Sequence, residues 1–288
     1  MTMNSVAPRL GILASRVRFE EKSIMTALEK RGGVFEHLDP RTLSVAGGTT
    51  WTGPDFVINR EVGHYRALYA ASALECVGVT VVNTAAATHV SGDKWHTSAA
   101  LLKAGLPTPA TSLALTSDAA LKALDELGYP AVIKPLVGSW GRLVTKVTDR
   151  EVATAVLEHI EALPSPQAHI VYLQALVGKA DRDIRVVVVG GEPLGATHRR
   201  GDEWRTNVAR GAVSELCPLT DEITDLATRA AAAVGADIAG VDLIEDEEGR
   251  LTVLEVNDRV EFRGFQSAHP EVDVADRIVD LLLARAAS

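Results

Sequence analysis

The chain has 288 residues, 47% of them hydrophobic, and a formal net charge of −9. This length allows one large domain or two to three small ones, and the negative charge argues against general nucleic-acid binding. No segment approaches the roughly 20 apolar residues that cross a membrane, Met1 to Pro8 lacks the features of a signal peptide, and the two cysteines lie far apart without zinc-site spacing. We therefore expect a cytoplasmic protein with two reduced, unreactive thiols.

The first 88 residues alternate short apolar segments with amphipathic ones. Strands are predicted at 9–14, 34–38, 55–58 and 80–82, and helices at 19–31 and 65–76. This β-α-β alternation is typical of a small open α/β domain, which we place at residues 1–88. No GxGxxG follows the first strand, so the dinucleotide-binding fingerprint is missing.

Residues 89–176 are predicted to form a second unit of α+β type, and residues 177–288 a third unit rich in strands. In the second unit we predict strands at 112–115, 131–134, 144–147 and 170–174, and helices at 93–104, 118–127 and 151–162. In the third unit we predict strands at 184–189, 193–198, 240–244 and 254–257, and helices at 221–234 and 274–285.

Oxygen-bearing side chains interrupt two apolar segments near the C-terminus: Asp242 in the first, Glu255 and Asn257 in the second. We predict that these segments are neighbouring strands joined by a hairpin loop at 246–250. Side chains alternate faces along a strand, so Glu255 and Asn257 point the same way, and Asp242 could join them. Hard oxygen ligands of this kind suit Mg²⁺, with Mn²⁺ as an alternative, held together with substrate phosphates. The other interpretation is that one carboxylate faces solvent or pairs with an arginine and no metal is bound.

Three further features point to phosphate binding. Lys134 ends an apolar strand, and Lys94 stands at the start of a predicted helix, where a bound anion would explain a cation. Between two apolar strands lies a glycine-containing loop whose backbone N–H groups can turn toward an anion. Its residues are Gly138, Ser139, Trp140, Gly141 and Arg142. Taken singly, each feature has an ordinary interpretation: a hairpin loop, a lysine at a strand edge and a solvated lysine.

In order and spacing these segments resemble the ATP-grasp superfamily, specifically its RimK-like branch, and most closely the LysX and ArgX ligases that act on amino-group carrier proteins. The resemblance extends from the N-terminal domain to Phe265 and includes Gly92-Asp93-Lys94-Trp95, Lys134-Pro135, Gly138 to Arg142, Asp181 to Val186, Thr206-Asn207, Val241-Asp242-Leu243 and Glu255-Val256-Asn257. It implies an ATP-grasp fold, of mixed α/β and α+β class, with an N-terminal open α/β pre-ATP-grasp domain.

The resemblance also implies roles for individual residues. Lys94 and Lys134 would hold ATP phosphates, and the loop at 138–142 would cover the γ-phosphate. The implied adenine hinge is Gln174, Ala175, Leu176 and Val177, with Asp181 as a ribose contact; Asp242, Glu255 and Asn257 match the metal ligands; Arg185, Arg199 and Asn207 match positions near an acyl-phosphate. The family usually has an acidic residue after the glutamine, whereas Ala175 stands here, so the base contact would rest on backbone groups. Arg199 is the residue that we expect to stabilise the charge developing during acyl transfer.

The implied reaction joins a carboxylate, activated as an acyl-phosphate by ATP, to an amine. By resemblance the carboxylate is the C-terminal glutamate of a small acidic LysW-like carrier protein, and the amine is that of α-aminoadipate, glutamate or a related amino acid. The arginines from Arg199 to Arg210, together with Asn207, would bind the acidic tail of the carrier protein. The other interpretation is that these arginines are simply solvated. Arg259 and Arg263 could hold a substrate carboxylate or pair with Glu261.

The segment 258–269 departs from the lysine-pathway enzymes, so a carrier-dependent pathway of secondary metabolism is equally plausible. Two other functions stay open at this point. One is a RimK-like glutamate ligase that acts on a protein tail or a small cofactor, and the other is a non-catalytic nucleotide-binding regulatory protein. The presence of both lysines and of all three metal-ligand positions counts against the latter. Relatives imply a dimer or a tetramer.

Overall fold

The computed structural model describes residues 9–138, 143–178, 182–200 and 213–286. Within these residues the strands form three sheets, one from each third of the chain. Over the same residues, no helix is both long and apolar enough to span a membrane. Cys76 is exposed and Cys217 buried, and both are free thiols.

The N-terminal sheet is parallel, with the strand order β2-β1-β3-β4. Parallel neighbours require crossover connections, and helices supply two of them. Its elements are β1 (Leu10–Leu13), α1 (Phe19–Lys30), β2 (Phe35–Leu38), β3 (Phe56–Asn59), α2 (His64–Cys76) and β4 (Thr80–Val82), followed by the short helix α3 (Ala85–Ser91). The predicted open α/β domain is therefore confirmed.

The central sheet is antiparallel, with the order β5-β8-β6-β7. Two amphipathic helices cover one of its faces and form a core with residues such as Ile133 and Leu173. Its elements are α4 (Lys94–Lys103), β5 (Thr111–Ala114), α5 (Ser117–Leu127), β6 (Ala131–Lys134), β7 (Thr145–Val147), α6 (Arg150–Glu161), a 3₁₀ turn (Pro166–His169) and β8 (Val171–Ala175). The opposite face, which carries Lys134, is left for the active site.

The C-terminal sheet is antiparallel, with the order β11-β10-β9-β12-β13. Its elements are β9 (Arg182–Val189), β10 (Glu192–Arg200), β11 (Val213–Cys217), α7 (Asp221–Ala233), β12 (Ile238–Glu245), β13 (Leu251–Asn257), α8 (Arg263–Ala268) and α9 (Val274–Ala286). Strand β9 is apolar on both faces near its end: Val186 and Val188 pack toward α7, and Val187 and Val189 toward α9.

The N-terminal domain shares a core with the α9 side of this sheet. Ile24 of α1 and Ile58 of β3 belong to the same buried cluster as Val187 and Val189. A buried ion pair of this domain lies at the junction, with Arg60 Nε 3.1 Å from Glu21 Oε1. Arg60 Nη2 crosses the junction by donating to the carbonyl of Val260. The N-terminal domain is therefore fixed against the segment that follows β13.

The predicted elements in the described residues are present, most with ends shifted by one or two residues, and the β12–β13 hairpin with its loop is confirmed. Helices α3 and α8, strand β11 and the 3₁₀ turn were missed. Helix α3 has only seven small or polar residues and depends on the Thr84 side chain, which accepts a hydrogen bond from Ala87 N. Such short elements lack a readable hydrophobic period. The division at residues 88 and 176 stays a prediction.

Candidate active site

A cluster of buried charges lies on one face of the C-terminal sheet. The register pairs Arg199 with Asp183 across β9–β10, and Asp242 with Arg185 across β9–β12. Alternation along the strands then puts these four side chains on the same face. Arg199 lies between two acids, with Nε 2.6 Å from Asp183 Oδ1 and Nη2 3.1 Å from Asp242 Oδ2.

Asp242 is held by two guanidinium groups. Arg185 binds it through two parallel bonds, from Nε to Oδ1 and from Nη2 to Oδ2, both 2.7 Å long. Burial alone would raise the pKa of this carboxyl, but Arg185 and Arg199 outweigh burial and lower it. Burial would also lower the pKa of Arg199, whereas Asp242 and Asp183 raise it above its usual value. Asp242 and Arg199 are therefore held in their charged forms, and their charges compensate one another.

The three predicted metal ligands are brought together at the edge of this cluster. Glu255 pairs with Asp242 in the β12–β13 register, and Asn257 Nδ2 lies 3.5 Å from Asp242 Oδ2. The regular pairing of Asp242 with Glu255, and the two-residue spacing of Glu255 and Asn257 along β13, put these side chains on one face. Sequence reasoning anticipated the convergence and, as its alternative, a carboxylate paired with an arginine, and Asp242 indeed pairs with two.

Two carboxylates and an amide form a donor set that fits a hard divalent cation. Asn257 Nδ2 makes only long contacts, and its amide oxygen can face the carboxylates if the group is turned over. Within the described ranges there is no group of three or more His, Cys, Asp or Glu side chains with metal-binding geometry. The remaining ligands would have to come from phosphate oxygens or water.

Lys134 extends from the central sheet toward this acidic edge. Burial lowers its pKa to about 8, while Glu255 raises it and Lys94 lowers it. Lys94 begins α4, and its Nζ donates to the carbonyl of Gly138 at 2.9 Å. The two predicted phosphate-binding lysines are thus close to each other, to Glu255 and to the start of the glycine-containing loop.

Strand β8 leads into the predicted adenine hinge. Ala175 N donates to the carbonyl of Ala110, and Leu176 N donates to that of Pro130. The Gln174 side chain is buried and accepts a hydrogen bond from Lys134 Nζ at 2.5 Å. Val177 follows Leu176 at the end of the described segment.

A cleft of about 1160 Å³ opens beside the charged cluster. Arg185 and Arg199 line one end, α1 lines a side with Lys22 and Lys30, and α8 contributes Arg263. The residues described place no carboxylate in an ion pair with the guanidinium of Arg263, which stacks 5.0 Å from the centre of the Phe19 ring. A substrate carboxylate could therefore reach this cation.

Glu261 and Arg259 form ion pairs that differ from those predicted for them. Glu261 pairs with Arg18 of the N-terminal domain, through Oε1 and Nη1 at 2.5 Å, so the alternative that Arg259 or Arg263 pairs with it is wrong. Arg259 is bound to Asp258 at 2.7 Å instead. The pairing with Arg18 could not be read from the sequence, because 243 positions separate the partners.

Sequence reasoning also missed residues that support the site. Asp183 is the buried partner of Arg199, and its only sequence signal was its position two residues before Arg185. Glu20 accepts the backbone N–H groups of Phe262 and Arg263, both at 3.2 Å, and so fixes the wall of the cleft to α1. Seven of the predicted site residues lie outside the residues that the structure describes: Ser139, Trp140, Gly141, Arg142, Asp181, Asn207 and Arg210.

Sequence comparison agrees with this geometry. A model of the RimK-like ATP-grasp domain matches residues 91–282, and a model of the LysX pre-ATP-grasp domain matches residues 10–90. The chain belongs to the RimK-like ATP-grasp family. The predicted family, the ATP-grasp fold and the prediction of an ATP-grasp ligase are confirmed, and this fold implies ATP binding with a divalent metal.

Three similar proteins illustrate the relationship. The glutamate–LysW ligase ArgX of Sulfolobus acidocaldarius is 33% identical over 273 residues, which are 94% of this chain and 96% of the relative. The α-aminoadipate–LysW ligase LysX of the same organism is 34% identical over 252 residues, covering 86% and 91%. The crystal structure of a RimK domain ATP-grasp protein from Sphaerobacter thermophilus has a TM-score of 0.78 at 26% identity and covers 96% of this chain and 99% of its own.

Proposed function

We propose that this protein is an ATP-dependent carboxylate–amine ligase that joins an amino acid, through its α-amino group, to the C-terminal glutamate of a small acidic carrier protein. Glutamate, α-aminoadipate or a related amino acid is the amine substrate. Mg²⁺ serves as the divalent metal. The names of the two carrier-dependent relatives, each similar over most of its length, support this choice of partner.

One observation carries the proposal: a phosphate-binding face and a charge-compensated arginine pair meet at the mouth of a cleft. Glu255, whose charge acts on Lys134, lies opposite Asp242, which binds Arg185 and Arg199. Both arginines line the cleft. A phosphoryl donor on one side and two carboxyl-containing substrates on the other would therefore react between them.

In the first step a carboxylate oxygen attacks the γ-phosphorus of ATP, and the bond to the β-bridging oxygen breaks, releasing ADP. Lys94 and Lys134 bind phosphate oxygens and compensate their negative charge. A divalent metal held by Asp242, Glu255 and Asn257 would supply further charge stabilisation to the transferring group. The product is an acyl-phosphate and requires no general base, since the carboxylate is already ionised.

In the second step the amino group attacks the acyl carbon, and phosphate leaves as the amide forms. Negative charge develops on the acyl oxygen, and Arg199 and Arg185 are the cations positioned to stabilise it. Because their guanidinium groups are already fixed by Asp183 and Asp242, they need not reorganise during the reaction. The ammonium group of the substrate loses one proton to solvent before it attacks, and the nitrogen loses a second proton to solvent or to the leaving phosphate as the amide forms.

The cleft supports an amino acid with an additional carboxylate. Among the cations that line it, Lys22, Lys30 and Arg263 form no ion pair with any residue that the structure describes, whereas Arg185 and Arg199 are compensated. An unpaired guanidinium matches a carboxylate through two parallel hydrogen bonds. Arg263 is therefore the proposed contact for the amino-acid substrate, and Arg259, tied to Asp258, is not.

The test is ATP-dependent phosphate release with Mg²⁺, a LysW-type carrier and a panel of amino acids, with intact-mass analysis of the carrier. The expected result is a mass gain of one amino acid minus one water, only with ATP and one subset of amino acids. A carrier lacking its C-terminal glutamate is the control. If glutamate is instead added repeatedly to generic tail peptides or to a small cofactor, the carrier assignment fails and the glutamate-ligase alternative replaces it.

A further inference from the structure

Three polar side chains share the face of the central sheet that is turned away from its helices. Lys134 of β6 pairs in register with Tyr172 of β8, and Gln174 lies two positions further along β8. Residues two apart on a strand, and residues paired across antiparallel strands, point to the same face. The intervening Leu173 belongs to the core on the other face.

These side chains form a continuous chain of hydrogen bonds. Lys134 Nζ donates to Gln174 Oε1 at 2.5 Å, and Gln174 Nε2 donates to the Tyr172 hydroxyl at 2.9 Å. The Tyr172 hydroxyl lies 2.8 Å from Ser98 Oγ of α4. Ser98, Tyr172 and Gln174 are each at most 2% exposed, so water cannot easily replace these bonds.

The directions of the bonds from Lys134 and Gln174 follow from the chemistry of the groups. An ammonium only donates, so it must face the amide oxygen of Gln174, and the amide NH₂ must then face Tyr172. The Tyr172 oxygen accepts that bond, and either hydroxyl can be the donor in the bond between Tyr172 and Ser98. Burial raises the pKa of Tyr172 to about 12, so the hydroxyl stays protonated. Turning the amide over would place two donors against each other, and the orientation is therefore fixed.

We propose that Gln174, oriented by Tyr172 and Ser98, is a positioning residue that holds the Lys134 ammonium for phosphate binding and does not contact the adenine base. A neutral amide serves this purpose better than a carboxylate, because it fixes the ammonium without cancelling its charge. Among the described residues no carboxylate forms an ion pair with Lys134, so an incoming phosphate meets a full positive charge. The inference rests on the ATP-binding part of the proposed function.

The first test compares ATP with adenosine, each measured by displacement of a fluorescent ATP analogue. Gln174→Met removes both hydrogen bonds but keeps the length of the side chain. A bond to a charged group is lost, so the affinity for ATP is expected to fall about tenfold, while that for adenosine changes less than about twofold. If both ligands lose affinity by the same factor, Gln174 contacts the base and the proposal is overturned.

A double-mutant cycle tests whether Gln174 acts through Lys134. In the background of Lys134→Met, the change Gln174→Met is expected to have no further effect on ATP affinity. Additive losses would show that Gln174 contributes independently and would overturn the proposal. The cycle uses ratios within one background, so it stays informative even where the variants differ in stability, provided that thermal unfolding shows them folded at the assay temperature.

The hydroxyl relay is tested with Tyr172→Phe, which leaves Gln174 in place but removes the group that orients it. The expected result is a loss of about threefold in ATP affinity, again without loss of adenosine affinity. Tyr129→Phe is the matched control, since its hydroxyl only reaches exposed Asp125 at 3.4 Å, and it should bind ATP like the unmodified chain. If Tyr172→Phe equals this control, the relay does not orient Gln174.

These measurements need no carrier protein and no amino acid. A chain that shows the expected ATP-specific losses but never modifies a carrier would refute the proposed function and leave this inference standing. If the unmodified chain modifies a carrier but Gln174→Met binds ATP normally, the proposed function would stand and this inference would be refuted.

Discussion

The central and C-terminal sheets both turn charged faces toward the same site, but they hold their charges in different ways. On the C-terminal sheet Arg199 is 3% exposed and lies between two carboxylates, so its charge is compensated inside the protein. On the central sheet Lys134 is held by the neutral amide of Gln174. Compensated charges define a fixed shape before substrates arrive, whereas an uncompensated cation is stabilised only when an anion binds.

The largest effect is expected on the C-terminal sheet, where Arg199 is compensated by two buried carboxylates. Arg199→Met leaves Asp183 and Asp242 buried with one fewer cation, so the free energy of unfolding should fall by about 3–5 kcal/mol, as measured by chemical denaturation. Arg200→Met is the matched neighbour, since its partner Glu215 is exposed, and should cost less than about 1 kcal/mol. Equal stability of the two variants would contradict the view that the arginine cluster supports the fold.

On the central sheet, loss of the uncompensated Lys134 should weaken ligand binding and leave stability nearly unchanged. Lys134→Met removes a partly buried ammonium that forms no ion pair within the described residues. The loss of its hydrogen bond to Gln174 offsets this gain, so the free energy of unfolding should change by less than about 1 kcal/mol. Its affinity for ATP should nevertheless fall about 100-fold, because a phosphate would be left without its partner. Calorimetric titration measures the affinity, and Lys146→Met, exposed on β7, is the control. A large loss of stability in Lys134→Met would show that the two faces do not differ.

The pH dependence of ATP binding sharpens the same contrast. With its pKa lowered to about 8, Lys134 is protonated below pH 8 and loses its proton above it. The ammonium is the form that binds phosphate, so affinity should be constant up to about pH 8 and then fall, by at most tenfold per pH unit. Lys134→Arg keeps its charge throughout this range, and its affinity should stay flat. Equal slopes for the two proteins would exclude Lys134 as the group responsible.

The smallest expected effect lies at the edge where the two faces meet. Glu255 is partly exposed and forms no ion pair within the described part of the chain, so Glu255→Gln should change the unfolding free energy by less than about 0.5 kcal/mol. As a proposed metal ligand, its loss should raise the Mg²⁺ concentration needed for ATP binding about tenfold. Glu248→Gln in the hairpin loop is the control. An unchanged Mg²⁺ requirement would remove Glu255 from the metal site.

Much of the fold could be predicted from local patterns. The apolar segments gave the strands, the 3.6-residue periods gave helices such as α5 and α7, and the polar loop at 246–250 gave the β12–β13 hairpin. Alternation along β13 also predicted that Glu255 and Asn257 share a face. Helix α8 was not predicted, because its six residues include a glycine and show no clear hydrophobic period. Two of its residues, Arg263 and Phe265, nevertheless line the cleft.

The partners of the charged side chains could not be predicted in this way. Glu261 was expected near Arg259 or Arg263, which are its neighbours in sequence, but it pairs with Arg18 from the first helix of the chain. Gln174 was predicted at the adenine hinge, and its hydrogen bond to Lys134, 40 positions away, was not expected. Ion pairs and buried hydrogen bonds depend on distance in space and on the exclusion of water, and neither is a property of a local segment.

The sequence by itself therefore determined the α/β or α+β class of the first two units, the shared face of Glu255 and Asn257, and the family to which the chain belongs. These follow from periods of two and 3.6 residues and from the order of a few short motifs. Only the tertiary structure decided which charges are compensated and which are left for a ligand. Desolvation makes an unpartnered charge costly, and its partners come from strands and helices that are adjacent only after folding.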